Sequence, residues 1–545
     1  MTDAGQTTAD LQVANLSSNE PELVYTANRD LAHRKTHGQF FTPYSIACFM
    51  CQWITEVSIS KPTVLDPCAG LGVFERAVCE TDPKFAQRAV FKLWEKDERL
   101  AIDLAGICDR LGIRKSIANK DFINEHGWSE TYDAVIANPP YYKHHFVKNK
   151  EGIRGAISSG AGASFSVQTN IYCWFLIKAL SLLRDGGRLA FIIPTEFMNA
   201  NYGTDVKKFL LETGCLRHII SFCYKTRTFD DAITTACVLL AEKGDKPPGR
   251  IRFYRAGSSD QLDNLNNYFN NHKALEYRSS ELDAGRKWRC YFPGGQKIRY
   301  NGSKVLPFST YGRFSRGIAT GANHFFAIPP SSAAKLDLPD ECLIPCVSKA
   351  RHASGKTFTR NDFAVLKQAD KPVLLFNGQA ATGAAIENYI QSGESSGFHE
   401  RYLTRTRRPW YAVEQRSPSK IWVGVFSRSG FRFVWNESEC ITLTCFHVFQ
   451  PSDTGASYLP FLYLYLNSAI GRRFLELEKR EYGDGLEKLE PNDINRALAP
   501  DFSLLDQADQ KRLSELQEKF IITEENTREE ISILEAADSI FGAII

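Results

Sequence analysis

Val64-Leu65-Asp66-Pro67-Cys68-Ala69-Gly70-Leu71-Gly72-Val73-Phe74 is the stretch on which the fold turns. It opens as a short apolar run with strand character, reaches an acid, and enters a Gly-x-Gly turn. Glycines at such a turn let backbone approach a ligand closely. A second run, Val135-Ile136-Ala137-Asn138-Pro139-Pro140-Tyr141, begins the same way. It ends in an amide, two prolines that fix the backbone, and an aromatic ring. Both runs read as strand ends that leave a polar site exposed.

Around them, strand-like and helix-like stretches alternate from 62 to about 245. Strands are expected at 63–65, 89–94, 116–119, 134–137, 188–193, 218–223 and 235–241. Helices are expected from 74 and at 98–111, 172–183 and 202–213. This alternation predicts an α/β fold: a doubly wound, Rossmann-like, mostly parallel sheet with helices on both faces. Ligands of such sheets bind at the carboxyl ends of strands, where both runs finish. Upstream, Thr42-Pro43 opens a helix with Ile46, Phe49, Met50, Trp53 and Ile54 at helical spacing. Residues 1–36 read as a loosely packed arm. The turn-rich stretch 243–249 predicts a domain boundary. Short aromatic-rich β-like runs come after it (420–425, 431–434), then a core helix over 459–477 and hydrophilic helices at 504–520 and 527–541. The expected organisation is an arm 1–36, a doubly wound domain 37–245, a mixed α+β domain 250–500 and an acidic helical tail 501–545.

With 545 residues the chain exceeds one ordinary domain, and roughly two to four are expected. At 43% hydrophobic and 24% charged, and without a membrane-length apolar run, it has a globular composition. A polar N-terminus without a basic-then-apolar leader gives the expectation of a cytoplasmic protein. The fourteen cysteines are scattered, mostly in apolar runs (Cys48, Cys173, Cys223, Cys237, Cys445). They read as buried reduced thiols, with no metal site expected. Charge is strongly partitioned: residues 1–250 carry +1, 251–450 carry +11 and 451–545 carry −9. In the basic segment Arg405, Arg407, Arg408, Trp410, Tyr411, Arg416, Lys420 and Trp422 crowd together. That suits either a phosphate-tracking surface or a solvated basic face.

Together and in this order, the two strand ends resemble the gamma-class, TaqI-type N6-adenine DNA methyltransferases of restriction-modification systems, which use S-adenosylmethionine. The resemblance is specific over 36–245. It runs more loosely to about 500 through Arg316-Gly-Ile-Ala-Thr-Gly-Ala-Asn323, Leu466-Asn467-Ser468 and Tyr482-Gly-Asp-Gly485. It implies a methyltransferase sheet followed by a DNA target-recognition domain, with duplex DNA as partner. Any cleaving enzyme is expected as a separate chain, and the protein as a monomer or dimer.

Residue by residue, the resemblance makes Gly38-Gln-Phe-Phe-Thr-Pro43 a lid over the methionine end of the cofactor, with Thr42 a polar contact. Asp66 would receive the amino group, and Ala69, Gly70 and Gly72 would admit the methionine end. Glu95, or Asp97 beside it, stands where an acid meets the ribose hydroxyls. Asp121 and Phe122 resemble the pair that holds the adenine of the cofactor. Cys68 reads as a small wall residue. The target poses the harder problem, because the N6 lone pair of adenine is delocalised into its ring. Hydrogen bonds accepted by the Asn138 side chain and the Pro139 carbonyl would favour a pyramidal, nucleophilic nitrogen, and Pro139 and Pro140 would hold the loop in place. The base must leave the duplex, so Tyr141 is assigned to stack on it. Phe229 is either the second aromatic face or a core ring. Lys143 and His144, in a Gly/Ser-rich stretch, are expected to meet phosphates.

Asn-Pro-Pro-Tyr also suits a methyltransferase acting on a protein glutamine or on RNA. A compact protein methylase would not need about 300 further residues with a basic middle. A non-catalytic DNA-binding specificity subunit would not need intact Asp66, Gly70, Gly72, Asn138 and Tyr141.

Overall fold

The computed structural model describes residues 14–27, 41–141, 149–222, 236–244, 250–257, 262, 264–295, 300–481 and 486–545. The chain divides into two compact units, one holding the residues up to Gly295 and the other most of the remainder.

Among the described residues of the first unit, nine strands form one sheet. They are β1 (Thr63–Asp66), β2 (Val90–Trp94), β3 (Arg114–Ala118), β4 (Tyr132–Ala137), β5 (Leu183–Pro194), β6 (Leu216–Phe222), β7 (Ala236–Glu242), β8 (Ile251–Ala256) and β9 (Leu275–Tyr277). Their order is β3-β2-β1-β4-β5-β7-β6-β8-β9. β1 is parallel to β2 and β4, and β4 to β5, while β7 runs antiparallel between β5 and β6. The helices that matter to the site are α1 (Glu20–Ala27), α2 (Tyr44–Ile54), α3 (Val73–Thr81), α4 (Glu98–Leu111), the one-turn α5 (Phe122–Glu125) and α6 (Ile171–Ser181). Alternation along β4 shows why helices cover both faces: Ala134 and Ile136 join one core with α2, α3 and α4. Val135 and Ala137 join the other, with α6. The expected doubly wound α/β architecture is present.

Three expectations about organisation need correction. The boundary placed at 245–250 lies further on, because β8 pairs parallel with β6 and β9 folds back on β8. The turn-rich break is a connection inside the unit. Residues 14–27 are not loosely packed: Arg76, 1% exposed, pairs with Glu22 and donates to the Leu16 and Ser18 carbonyls. The tail is not a separate segment either, as the helices Gln507–Ile522 and Arg528–Ile544 supply Leu513, Phe520, Ile533 and Phe541 to the core of the second unit. One spacing runs against the reading of the cysteines as scattered. Cys48 and Cys51 stand three apart on α2, both free, and the described residues hold no cluster fit for a metal. Among the described residues, no helix is long and apolar enough to cross a membrane.

In the second unit a five-stranded sheet (Gly312–Arg316, Phe446–Pro451, Ile421–Gly424, Phe433–Asn436, Thr357–Phe358, in that order) packs on helices. The core helix expected over 459–477 is two helices, Leu459–Asn467 and Ala469–Glu478, broken where the Ser468 hydroxyl accepts from the Gly471 N–H. Asn467, 1% exposed, explains the break. Its amide accepts from the Phe433 N–H (3.1 Å) and donates to the carbonyls of Phe433 (3.2 Å) and Tyr463 (3.1 Å), tying the helix end to the sheet. Replacing Asn467 by Leu strands these buried backbone groups, so the second unit should lose about 2–4 kcal/mol in urea denaturation.

Candidate functional site

The turn after β1 is built from backbone. Gly70 and Gly72 take φ of 57° and 67°, in the left-handed region that side chains disfavour. A Cβ on Gly72 would also meet Leu104 at 2.9 Å. The Ala69 N–H donates to the Trp94 carbonyl (2.9 Å), stitching the turn to the end of β2. Glu95, just past β2, accepts from the Gly70 N–H (3.0 Å) and the Asp97 N–H (2.8 Å). Asp97, the alternative acid, instead caps α4 by accepting from the Arg99 and Leu100 N–H groups. Glu95 is therefore the acid that belongs to the turn.

Asp66 is fully buried and accepts from the Cys68 N–H (3.0 Å) through one oxygen only. Its other oxygen, and both oxygens of the fully buried Glu75, have no hydrogen-bond partner among the described residues. Burial pushes the Asp66 carboxyl well above its usual range, and the charge of Glu75 adds to this. Burial likewise pushes Glu75 up to about 7 and raises Glu95. Two buried acids with uncompensated oxygens beside this turn, Asp66 and Glu75, suit a ligand that carries positive charge, as the sulfonium and ammonium of S-adenosylmethionine do.

Asp121 caps α5 by accepting from the Ile123 N–H (3.1 Å) and pairs with Lys96 at 2.9 Å. Phe122 lies inside the core, 1% exposed, against Trp94, His126 and Phe175. Its ring anchors the turn that carries Asp121. Lys178, also 1% exposed, fixes the same turn by donating to the carbonyls of Phe122, Ile123 and His126.

At the carboxyl end of β4, Asn138 donates through its side chain to the Thr42 hydroxyl (3.0 Å), and its backbone carbonyl accepts from the Cys68 thiol (3.3 Å). Thr42, expected over the cofactor, thus holds the amide of Asn138. Burial pushes the Cys68 thiol well up, which fits a wall residue and not a nucleophile. Tyr141 donates its hydroxyl to the Ile192 carbonyl (3.1 Å) and meets Tyr172 edge-on. Phe229, Lys143, His144 and the lid residues 38–40 lie outside the described residues.

In the second unit the basic cluster separates into two kinds of residue. Arg405 and Arg408 are exposed. Arg407 is not available to phosphate: its guanidinium donates to the carbonyls of Thr320 (3.0 Å), Ala412 (3.1 Å) and Ala319. Trp410 donates to Glu394 (2.9 Å) and packs on Phe325 and Tyr411, while Trp422 is fully buried.

Residues 296–540 match the family model described as Type II methyltransferase M.Eco57I, C-terminal domain, and 79–229 match Eco57I restriction-modification methylase. The Type II methyltransferase M.AccI of Acinetobacter calcoaceticus is 36% identical over 95% of both chains. The chain belongs to the Type II methyltransferases of restriction-modification systems. M.XamI of Xanthomonas campestris pv. amaranthicola is 26% identical over 88% of each chain. The fold is shared with the Type IIL restriction-modification enzyme MmeI, solved in complex with DNA (TM-score 0.64, 12% identity, 96% of this chain and 78% of that one). The C-terminal family match of this methyltransferase begins at 296, where the second compact unit also begins.

Glu75 is the buried acid beside the glycine turn that sequence reasoning missed. The available signal was a lone acid between Phe74 and the apolar Ala77 and Val78, all of them buried on α3. Its carboxyl holds a proton in the folded protein that the unfolded chain, near 4.5, has released. Its contribution to stability is therefore present below pH 4.5 and lost as pH rises through about 7. In thermal denaturation between pH 5 and 8 without cofactor, Glu75→Gln should be the more stable protein at pH 8, with a flatter pH dependence.

Proposed function

We propose that this methyltransferase moves a methyl group from S-adenosylmethionine to N6 of an adenine turned out of duplex DNA. The second unit reads the DNA, and the modification protects it from a cognate endonuclease. The observation that carries this proposal is the placement of Asn138-Pro139-Pro140-Tyr141 at the end of β4, next to β1 and its glycine turn, with the Asn138 amide nitrogen on Thr42.

Asp66 and Glu75 face the positive end of the cofactor, the 69–72 backbone admits its methionine end, and Asp121 meets its adenine. Each Glu95 oxygen keeps lone-pair capacity for a ribose hydroxyl beyond the N–H it already accepts. The bound sulfonium supplies an electrophilic methyl group. With the Asn138 nitrogen turned to Thr42, the amide oxygen lies on the opposite side, where it accepts one N–H of the target amine. The Pro139 carbonyl accepts the other, which localises the nitrogen lone pair. One amine proton leaves to solvent after transfer. Tyr141, its ring fixed through Ile192, stacks on the extruded base, a contact worth on the order of 1–3 kcal/mol.

Asn138→Ala should abolish methyl transfer while calorimetry still detects S-adenosylmethionine binding. Single-molecule sequencing of DNA from cells expressing the wild type should show N6-methyladenine in one sequence context. Finding N4-methylcytosine alone would overturn the choice of base.

Arg405 and Arg408 are the exposed arginines of the cluster and the ones to meet phosphates, although one Arg408 nitrogen also donates to the carbonyls of Arg405 (3.0 Å) and Arg407 (2.8 Å). Neutralising both should flatten the slope of log affinity against log salt by about 0.9 for each phosphate no longer neutralised. Arg407→Ala should act through stability instead, by releasing three carbonyls.

A further inference from the structure

We propose that Asn19 is a positioning residue for methyl transfer, acting on Asn138 through Thr42. The inference rests on the adenine methyl-transfer proposal above.

Helix α2 begins after Pro43, which has no side-chain acceptor for the first helical N–H groups. Asn19, 25 residues earlier, fills that role: its side-chain oxygen accepts from the Tyr44 N–H at 2.7 Å. The nitrogen of the same amide donates to the Thr42 carbonyl at 2.9 Å. One side chain thus grips the backbone on both sides of Pro43 and fixes Thr42, which is 1% exposed. The Thr42 hydroxyl then accepts from the Asn138 side-chain nitrogen at 3.0 Å.

Asn19 is itself held. Its amide nitrogen lies 3.4 Å from Glu22, and Glu22 pairs with the buried Arg76. Arg76 stands on α3, the helix that leaves the glycine turn, and also binds the carbonyls of Leu16 and Ser18. A continuous set of polar contacts therefore links the helix behind the cofactor turn to the amide that orients the target amine. Rotation of that amide by a fraction of an ångström moves the acceptor that localises the lone pair. Placement errors near 1 Å cost roughly a hundredfold in rate.

The test uses the full chain with Asn19→Ala, Asn19→Asp and Asn138→Ala. It measures kcat and KM on DNA, cofactor affinity by calorimetry without DNA, and the thermal midpoint. Asn19→Ala should lower kcat roughly ten- to a hundredfold with cofactor affinity unchanged. Asn19→Asp keeps an acceptor for the Tyr44 N–H and offers the Thr42 carbonyl no donor. It places a carboxylate beside Glu22, so it should lower the thermal midpoint and lose kcat as the Ala variant does, with cofactor affinity unchanged. A wild-type kcat in Asn19→Asp, or a loss confined to cofactor affinity, would overturn the role of Asn19 while an inactive Asn138→Ala leaves the transfer proposal standing. A fully active Asn138→Ala overturns both.

Discussion

A carboxylate taken out of water is costly unless a cation or hydrogen-bond donors meet it. The end of β1 holds two such groups, Asp66 and Glu75, with oxygens that no described donor reaches. Much of the surrounding structure answers to that constraint. Left-handed Gly70 turns its N–H toward Glu95, which also accepts from the Asp97 N–H, so the third acid is satisfied while the other two are not. Arg76, next in sequence to Glu75, directs its terminal nitrogens to Glu22 and to two backbone carbonyls and away from the turn. The result is a fold that keeps two buried carboxyls, pushed toward their neutral form, at the place where the resemblance puts a cationic cofactor.

The sheet was legible because its strands obey simple rules. β4 is an apolar run buried on both faces, and α4 was bounded at 98–111 by its Asp97 cap and by Gly112 in the left-handed region. The site was legible only as far as local motifs reach. Asp66, Gly70, Gly72, Glu95 and Asn138 come together at the carboxyl ends of β1, β2 and β4. The bond from Asn138 to Thr42 spans 96 residues and leaves no local trace. Little in the local sequence singles out Glu75, an acid between Phe74 and Arg76 on α3. Residues 14–27 fall in the polar stretch 1–36 that read as a loose arm. The contacts that order them come from Arg76 and from α2, and no window of sequence around 14–27 contains those partners.

The basic segment shows a different limit. Composition counts guanidinium groups without distinguishing those that face solvent from those that brace the interior. Arg407 satisfies three carbonyls of its own unit. Trp422 fills a core beside Phe358 and Phe446, and Trp410 packs among aromatic rings. The net charge of the segment therefore overstates the surface it offers to a polyanion, and the exposed pair Arg405 and Arg408 is the better measure.

The sheet of the first unit does not stop at the glycine- and proline-rich break near 245, and this sets where the protein can be cut. Exchanging recognition units between relatives is an obvious way to engineer new sequence preferences. A chimera joined at 245–250 would pair β6 of one parent with β8 of the other, splitting the sheet between two sequences. It would also set the other parent's residues at Phe253 and Trp288, both fully buried, against a core they did not evolve with. A junction at 295–296 crosses no strand pair of this sheet. The position of one late strand thus decides which hybrids keep a sheet of one parentage and which must match strands from two.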